Sequence, residues 1–285
     1  MIPSNTTTAS STLSPIGIFD SGYGGLTILD AIRRELPQYD YLYLGDYARA
    51  PYGPRSFDIV YEFTRQAVRH LFDRGCRLVI LGCNTASAKA LRTIQQRDLP
   101  QWDPSRRVLG VIRPTAEVIG SLTSTRHIGI FATEGTIRSD SYRLEIQKLY
   151  PDIRVSGVAC PFWVPLVEYN EADSPGADYF VKKRCDQLMQ ADPLIDAVIL
   201  GCTHYPLLLP KIRRYMPAQV RIIPQGEYVA RSLNDYLERH ADLGARCSQG
   251  GRVHYLTTEN PERFSEQAQI FLNQPVTAEH VSLDD

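Results

Sequence analysis

Several features that mark common protein classes are missing from this 285-residue sequence. No apolar run approaches the roughly 20 residues that a membrane-spanning helix requires, so we expect no membrane partner. Lys and Arg total 31 and Asp and Glu total 32, and the resulting net charge of −1 excludes a nucleic-acid partner bound through a broad basic surface. Hydrophobic residues make up 43% of the chain, which is enough for a sizeable core and excludes disorder throughout.

Cysteine is sparse, with six residues in the whole chain and no C-x-x-C pair. That number is too low for a disulfide scaffold, and a simple zinc or thioredoxin-type motif is absent, so we expect no metal site. Free thiols in a reducing cytoplasm are the default expectation.

Two nucleotide-binding fingerprints are also absent. The Gly-rich loop Asp20–Gly25 does not match G-x-G-x-x-G, and no G-x-x-x-x-G-K-[ST] sequence occurs. Such a loop still presents backbone N–H groups that suit a carboxylate. A tight turn with no further role explains it equally well.

The N-terminal segment Met1–Ser14 lacks the features of a signal peptide. Eight of its fourteen residues are Ser or Thr and none is charged, so both the basic start and the apolar stretch are missing. We predict that residues 1–14 form a disordered tail.

Short apolar runs alternate with longer amphipathic stretches from Ile16 onward. The runs are often β-branched and bounded by Gly, Pro or Asp, which is typical of buried strands, and they cover residues 16–19, 41–44, 78–81, 108–112, 128–131, 155–158, 198–200, 220–223 and 253–256. Helical spacing occurs between them, at residues 60–71, 142–149 and 264–271, the last preceded by Asn260 and Pro261 as a helix start. The alternation predicts an α/β fold with parallel sheets and helices on both faces.

Three pairs of segments resemble each other within the chain. They are 16–19 with 128–131, 79–83 with 198–202, and 112–117 with 222–227. Because the pairs occur in the same order at similar shifts, we infer a duplication. It predicts two pseudo-twofold-related, doubly wound domains with the active site in the cleft between them, one of residues 15–107 plus 224–285 and one of residues 108–223.

Two of the six cysteines occupy equivalent places in this repeat. Cys83 and Cys202 each follow a buried strand, near a predicted helix start whose dipole favours the reactive thiolate. The other four are expected to be small buried hydrophobes: Cys76, Cys160, Cys185 and Cys247.

Two equivalent thiols that face one cleft suit the inversion of a stereocentre by proton transfer. That reaction needs a base on one face of the substrate and an acid on the other, and a thiol can serve as either once its surroundings tune it. Asp20 and His204 could exchange a proton beside each thiol. A helix-capping role for Asp20 and a satisfied core role for His204 remain open.

Five motifs resemble those of the glutamate racemase family, cofactor-independent enzymes that supply D-glutamate for peptidoglycan. They are IGIFDSGYGGLT (16–27), GDYARAPYG (45–53), LVILGCNTASA (78–88), ACPFWVPLVE (159–168) and VILGCTHYPLL (198–208). The resemblance implies a cytoplasmic isomerase that needs no cofactor and acts on glutamate, and it raises the expectation of a homodimer.

The resemblance also implies roles for individual residues. Cys83 would take the α-proton from D-glutamate and Cys202 from L-glutamate, with Asp20 and His204 assisting. The positions that match substrate-contacting positions of the family are Asp20, Ser21, Tyr52, Gly53, Asn84, Thr85, Thr133, Thr136, Glu168, Thr203 and His204.

Three positions depart from the family pattern, namely Tyr47, Gly82 and Gln225, and none of them removes a proton-transfer group.

A racemase of aspartate or hydantoins is a neighbouring alternative, because the spacing of the motifs does not reveal the side-chain length of the substrate. A thiol redox protein and a binding module without turnover are alternatives from other classes. The missing C-x-x-C pair disfavours the former, and two otherwise idle equivalent thiols disfavour the latter.

Overall fold

A computed structural model describes residues 14–283. The predicted disordered tail lies outside the described residues except for Ser14, where the prediction is wrong. Ser14 is buried, its hydroxyl donates to the carbonyl of Gly75 (2.8 Å), and its own carbonyl accepts from the amide of Ser248 (2.9 Å). No helix in the described part of the chain is both long and apolar enough to cross a membrane.

Within residues 14–283, ten strands form two sheets in which every pair of neighbouring strands is parallel. The strands are β1 (Ile16–Asp20), β2 (Tyr41–Gly45), β3 (Leu78–Leu81), β4 (Arg107–Gly110), β5 (His127–Ala132), β6 (Arg154–Ala159), β7 (Ala197–Gly201), β8 (Arg221–Ile223), β9 (Val253–Thr257) and β10 (Ala278–His280). The first sheet has the order β10-β9-β2-β1-β3-β4 and the second β6-β5-β7-β8. The core order 2-1-3-4 therefore occurs twice, and the C-terminal strands β9 and β10 extend the first sheet beyond β2.

Helices cover both faces of each sheet. The helices are α1 (Leu26–Glu35), α2 (Phe57–Asp73), α3 (Asn84–Lys89), α4 (Leu91–Thr93), α5 (Leu99–Trp102), α6 (Ile112–Leu122), α7 (Glu134–Ser139), α8 (Ser141–Leu149), α9 (Trp163–Glu168), α10 (Pro175–Ala191), α11 (Leu209–Tyr215), α12 (Gly226–Arg239), α13 (Ala241–Arg246) and α14 (Pro261–Leu272). Two 3₁₀ turns (Tyr47–Arg49 and Tyr205–Leu208) and a π turn (Ile94–Asp98) complete the element order. Four buried apolar clusters fill the spaces between helices and sheets, which confirms the predicted α/β class with two parallel-sheet lobes.

The helix predicted after Asn260 is confirmed in detail. Its apolar residues Phe264 and Ala268 are buried against the first sheet. The Asn260 side chain caps the helix by accepting from the amides of Glu262 (2.8 Å) and Arg263 (3.1 Å).

Two sequence-based boundaries shift at the junction between the sheets. The strand predicted over 108–112 ends at Gly110, and α6 begins at Ile112, because a proline at position 114 is tolerated in a first helical turn. This strand pairs with β3, so the first sheet extends past the predicted boundary at residue 107. The third repeat pair is also inexact, since Ile112 begins a helix whereas Ile222 lies within β8.

Candidate active site

A cavity of about 410 Å³ lies where the carboxyl ends of β1, β3 and β7 come together. Both repeat-related cysteines line it, together with Ser21, Gly22, Tyr47, Ala50, Pro51, Tyr52, Gly53, Pro54, Asn84, Thr85, Thr133, Glu134, Cys160, Pro161, Val164, Pro165, Glu168, Tyr169, Thr203 and His204. Both lobes therefore contribute to one enclosure.

Cys83 sits at the N-terminus of α3 and is almost fully buried. Its sulfur accepts from the amide of Ala86 (3.4 Å) and lies 3.3 Å from the hydroxyl of Ser21. Burial raises the pKa of Cys83 to about 12, and the nearby Asp20 carboxylate adds to the rise, against the two hydrogen bonds. Cys83 is therefore a protonated thiol at neutral pH.

Asp20 is the last residue of β1 and is only 1% exposed. Its Oδ2 accepts from the amide of Gly22 (3.0 Å), whereas its buried Oδ1 has no protein partner. Burial raises the pKa of Asp20 to about 6, with His204 and the amides of Gly25 and Gly22 opposing the rise. Of the sequence-predicted Asp-Ser pair, Ser21 contacts the thiol of Cys83 and lines the cavity, while Asp20 lies behind it.

Cys202 begins a short line of three side chains. Its sulfur lies 3.9 Å from Nδ1 of His204, and Nε2 of the same ring lies 3.0 Å from Oε1 of Glu168. Burial disfavours the charged ring, but the hydrogen bonds with Cys202 and Glu168 outweigh it and raise the pKa of His204 to about 10. His204 is therefore an imidazolium at neutral pH. Cys202 differs from Cys83 in leading into a 3₁₀ turn rather than an α-helix.

The polar residues that follow Cys83 are held by side chains from distant parts of the chain. Thr85 Oγ1 lies 2.8 Å from Thr133 Oγ1 and 3.3 Å from Thr136 Oγ1. Thr133 also caps α7, and Thr136 lies behind the two cavity-lining threonines. Asn84 is 2% exposed, and its amide is bonded to Gln225 (2.8 Å).

The loop that follows β2 closes one side of the cavity. Tyr52 is buried and its hydroxyl donates to Asp46, which also pairs with Arg49 (2.8 Å). Next along the chain, the carbonyl of Gly53 accepts from the amide of Gly135 in the second lobe (2.9 Å). The loop therefore joins the lobes at the rim.

The glycine loop after β1 packs directly on the second lobe. Thr27 Oγ1 donates to the carbonyl of Thr203 (3.1 Å), and a Cβ on Gly24 would collide with Thr203 and His204. The absence of a side chain at residue 24 is thus required for this close approach.

Residues 26–233 match the family model described as Asp/Glu/Hydantoin racemase. The chain is 40% identical over 274 residues to a glutamate racemase of Ruegeria sp. (strain TM1040), which covers 93% of this chain and 98% of the relative. The chain belongs to the glutamate racemase family.

Solved structures of the family have the same fold. Glutamate racemase isoform RacE1 from Bacillus anthracis superposes with a TM-score of 0.86 at 33% identity, covering 95% of this chain and 98% of that one. The glutamate racemase of Francisella tularensis, solved in complex with D-glutamate, superposes with a TM-score of 0.84 at 30% identity, covering 96% and 99%. The resemblance inferred from the five motifs is confirmed.

Most of the site residues expected from the racemase resemblance lie around this one cavity. Asp20 and Thr136 are the two that do not line it, each being one layer behind a residue that does. Within residues 14–283, no group of three or more His, Cys, Asp or Glu side chains is arranged to hold a metal ion.

Sequence reasoning missed one wall of the cavity of this racemase. Cys160, Pro161, Val164, Pro165 and Tyr169 come from α9 and the residues around it. Cys160 was expected to be a packing residue, and it is indeed buried, yet it also lines the cavity. The motif ACPFWVPLVE was the signal that could have found this wall.

Proposed function

We propose that this chain interconverts L- and D-glutamate by two-base proton transfer, in which one of Cys83 and Cys202 removes the α-proton and the other donates a proton to the opposite face. The observation that carries the proposal is the placement of two repeat-related thiols in one enclosure built by both lobes. Each thiol comes from the equivalent end of an equivalent strand. This arrangement suits attack on opposite faces of one carbon.

The substrate would be held by a ring of hydroxyl and amide groups rather than by a basic field. The proposed contacts in the cavity are Ser21, Tyr52, Gly53, Asn84, Thr85, Thr133, Glu168, Thr203 and His204. Hydroxyl and amide groups, with the charged pair of His204 and Glu168 beside them, can orient the ammonium and both carboxylates of glutamate within a cavity of about 410 Å³. Asp20 and Thr136 would act from behind, through Ser21 and Thr85.

For L-glutamate, Cys202 would act as the base. The His204 imidazolium beside it stabilises a thiolate, and Glu168 stabilises the imidazolium in turn. The Cα–H bond breaks, its proton forms an S–H bond on Cys202, and the electron pair moves into the α-carboxylate as an enolate. The Cys83 S–H bond then breaks, and its proton forms the new Cα–H bond on the opposite face.

For D-glutamate the same steps run in reverse, with Cys83 as the base. Because the pKa of Cys83 is about 12, it would give up its proton only when a bound substrate changes its surroundings. Ser21 would donate a hydrogen bond to the resulting thiolate. The negative charge of Asp20 raises the pKa of Cys83 and would favour the return of a proton to this thiolate.

We further propose the wider setting that the family resemblance implies. The D-glutamate would supply peptidoglycan synthesis in the cytoplasm, the enzyme would work without a cofactor, and it would act as a homodimer. The lobes would form two domains, residues 15–107 plus 224–285 and residues 108–223, with the shift at β4 noted above.

A direct test follows the loss of optical activity of L- and D-glutamate and of L- and D-aspartate by circular dichroism, with no added cofactor. We expect racemisation of both glutamate enantiomers and little of aspartate. Faster turnover of aspartate would overturn the substrate proposal. A strict requirement for pyridoxal phosphate would overturn the two-thiol mechanism.

A further inference from the structure

Three buried side chains behind the cavity form a closed ring of hydrogen bonds. Asn84 Nδ2 donates to Gln225 Oε1 (2.8 Å), Gln225 Nε2 donates to the Tyr142 hydroxyl (2.5 Å), and that hydroxyl donates to Asn84 Oδ1 (2.6 Å). All three are at most 3% exposed. The ring joins α3, α8 and the start of α12, which belong to different parts of the chain.

A backbone carbonyl decides the direction of this ring. Gln225 Nε2 also donates to the carbonyl of Val111 (3.1 Å) and lies 3.3 Å from Thr115 Oγ1. A carbonyl can only accept, so the Nε2 of Gln225 must face Val111, and its Oε1 must therefore face Asn84. Asn84 then has to present Nδ2 to Gln225 and Oδ1 to Tyr142.

This constraint fixes the direction of the hydrogen-bonding groups of Asn84 that the ring does not use. One N–H of Nδ2 and one lone pair of Oδ1 remain beyond the ring, and Asn84 lines the cavity. A rotated amide would place two acceptors, Asn84 Oδ1 and Gln225 Oε1, against each other. The orientation of the one amide side chain in the cavity wall among the described residues is thus set by atoms that do not touch the cavity.

The constraint also lies at the junction of the lobes. Val111 follows β4, where the chain passes from the first sheet to the second, and Gln225 follows β8, where it returns. The Gln225 side chain therefore bonds the two crossings to each other. A change in the angle between the lobes would act on Asn84 through these bonds.

We propose that Gln225, a position where the sequence departs from the family pattern, is a positioning residue that fixes the Asn84 amide for substrate binding. The proposal rests on the proposed function, in which Asn84 contacts glutamate. Gln225 itself does not line the cavity, and Tyr142 supports the ring as a secondary partner.

The test is a double-mutant cycle on kcat/KM with Gln225→Met, Asn84→Ala and the double variant. Met keeps the side-chain length and removes both polar atoms. We expect Gln225→Met alone to lower kcat/KM about tenfold in both directions, about the effect of one lost hydrogen-bonding constraint. It should have little further effect once Asn84 is Ala, because Gln225 acts through that amide.

Two milder variants separate orientation from packing. Tyr142→Phe leaves the Val111–Gln225–Asn84 chain intact and should impair kcat/KM less than Gln225→Met. Thr115→Val removes only the third contact of Nε2 and should stay within about twofold of the parent. The side-chain amide resonances of Asn84, followed by ¹⁵N NMR, should shift and exchange faster with water in Gln225→Met and stay in place in Thr115→Val.

The outcomes distinguish this inference from the proposed function. If Asn84→Ala lowers kcat/KM and the effects of Gln225→Met and Asn84→Ala are additive, the positioning role of Gln225 is overturned and the proposed function is not. An unimpaired Asn84→Ala would overturn both the substrate contact and the positioning role. Unchanged Asn84 amide resonances in Gln225→Met would overturn the positioning role whatever the activity.

Discussion

Gly24 of the first lobe and His204 of the second are packed so closely that no Cβ fits between them. His204 also donates toward Glu168 and faces Cys202, so its ring is confined on several sides. Phe271 of the C-terminal helix α14 closes a further side, with its ring centroid 5.4 Å away. The position of this histidine is thus fixed by both lobes.

The first prediction concerns this contact. Gly24→Ala should push His204 away from Cys202 and lower kcat/KM in both directions, and the overpacking should reduce the free energy of unfolding by about 1–3 kcal/mol. Gly176→Ala is the matched control, because an added Cβ there meets only Ser174 Oγ at 3.5 Å. Steady-state kinetics and urea unfolding measure both effects. Normal kinetics in Gly24→Ala would contradict the confinement of His204.

The second prediction concerns the two thiols. Cys83→Ser and Cys202→Ser should each abolish racemisation while the fold stays intact, because a hydroxyl is a far weaker acid than a thiol at these positions. Cys247→Ala, at a buried cysteine away from the cavity, is the control and should stay active. In deuterated water, the parent should place deuterium at the α-carbon of the product, as mass spectrometry can show. Normal turnover by Cys202→Ser would exclude the two-thiol mechanism.

The third prediction concerns pH. The pKa of His204 is raised from 6.5 to about 10, so its contribution to stability is complete below pH 6.5 and is lost as the pH rises toward 10. The free energy of unfolding should therefore fall across this range in urea titrations. Glu168→Gln removes one of the two partners that raise the pKa of His204, so the fall should still begin near pH 6.5 but end at lower pH and be smaller. Parallel pH profiles for the parent and Glu168→Gln would show that Glu168 does not act on this ring.

The fourth prediction concerns the rim loop. Asp46 is fully buried and its carboxylate serves Arg49, Tyr52 and Thr258. Asp46→Asn should lower the free energy of unfolding by about 3 kcal/mol, since it leaves a largely buried guanidinium without its counter-charge. It should also raise KM more than it lowers kcat, because the loop carrying Tyr52 and Gly53 shapes the cavity. Asp242→Asn, at an exposed ion pair with Arg246, is the control. An unchanged KM in Asp46→Asn would show that this loop does not affect substrate binding.

The sequence predicted those features of the site that depend on residues close to one another along the chain. Cys83 and Cys202 could be placed because each follows an apolar run, and the carboxyl ends of parallel strands meet at one edge. The first sheet continues to Gly110, past the predicted boundary at residue 107, because the apolar run of this strand does not say which neighbour it pairs with. The ring of Asn84, Tyr142 and Gln225 could not be foreseen. It joins side chains up to 141 residues apart, and hydrogen bonds between distant side chains leave no periodic trace.

The same holds for the electrostatics of the site. The side-chain types of Asp20 and His204 suggested proton transfer. Packing decides that His204 lines the cavity and that Asp20 does not. Asp20 lies behind Ser21, and His204 is held in the wall by Glu168. Burial and partners of this kind are set by the assembled lobes rather than by any short segment.

The strand order of the larger sheet has a consequence for the newly made chain. The smaller sheet has all its strands once Ile223 has been synthesised, whereas β2 gains its second neighbour only when Val253–Thr257 follow. During translation the outer edge of β2 therefore stays open while a complete four-stranded sheet already exists downstream. The lobe that begins first is thus the lobe that finishes last, because β9 follows every strand of the smaller sheet along the chain.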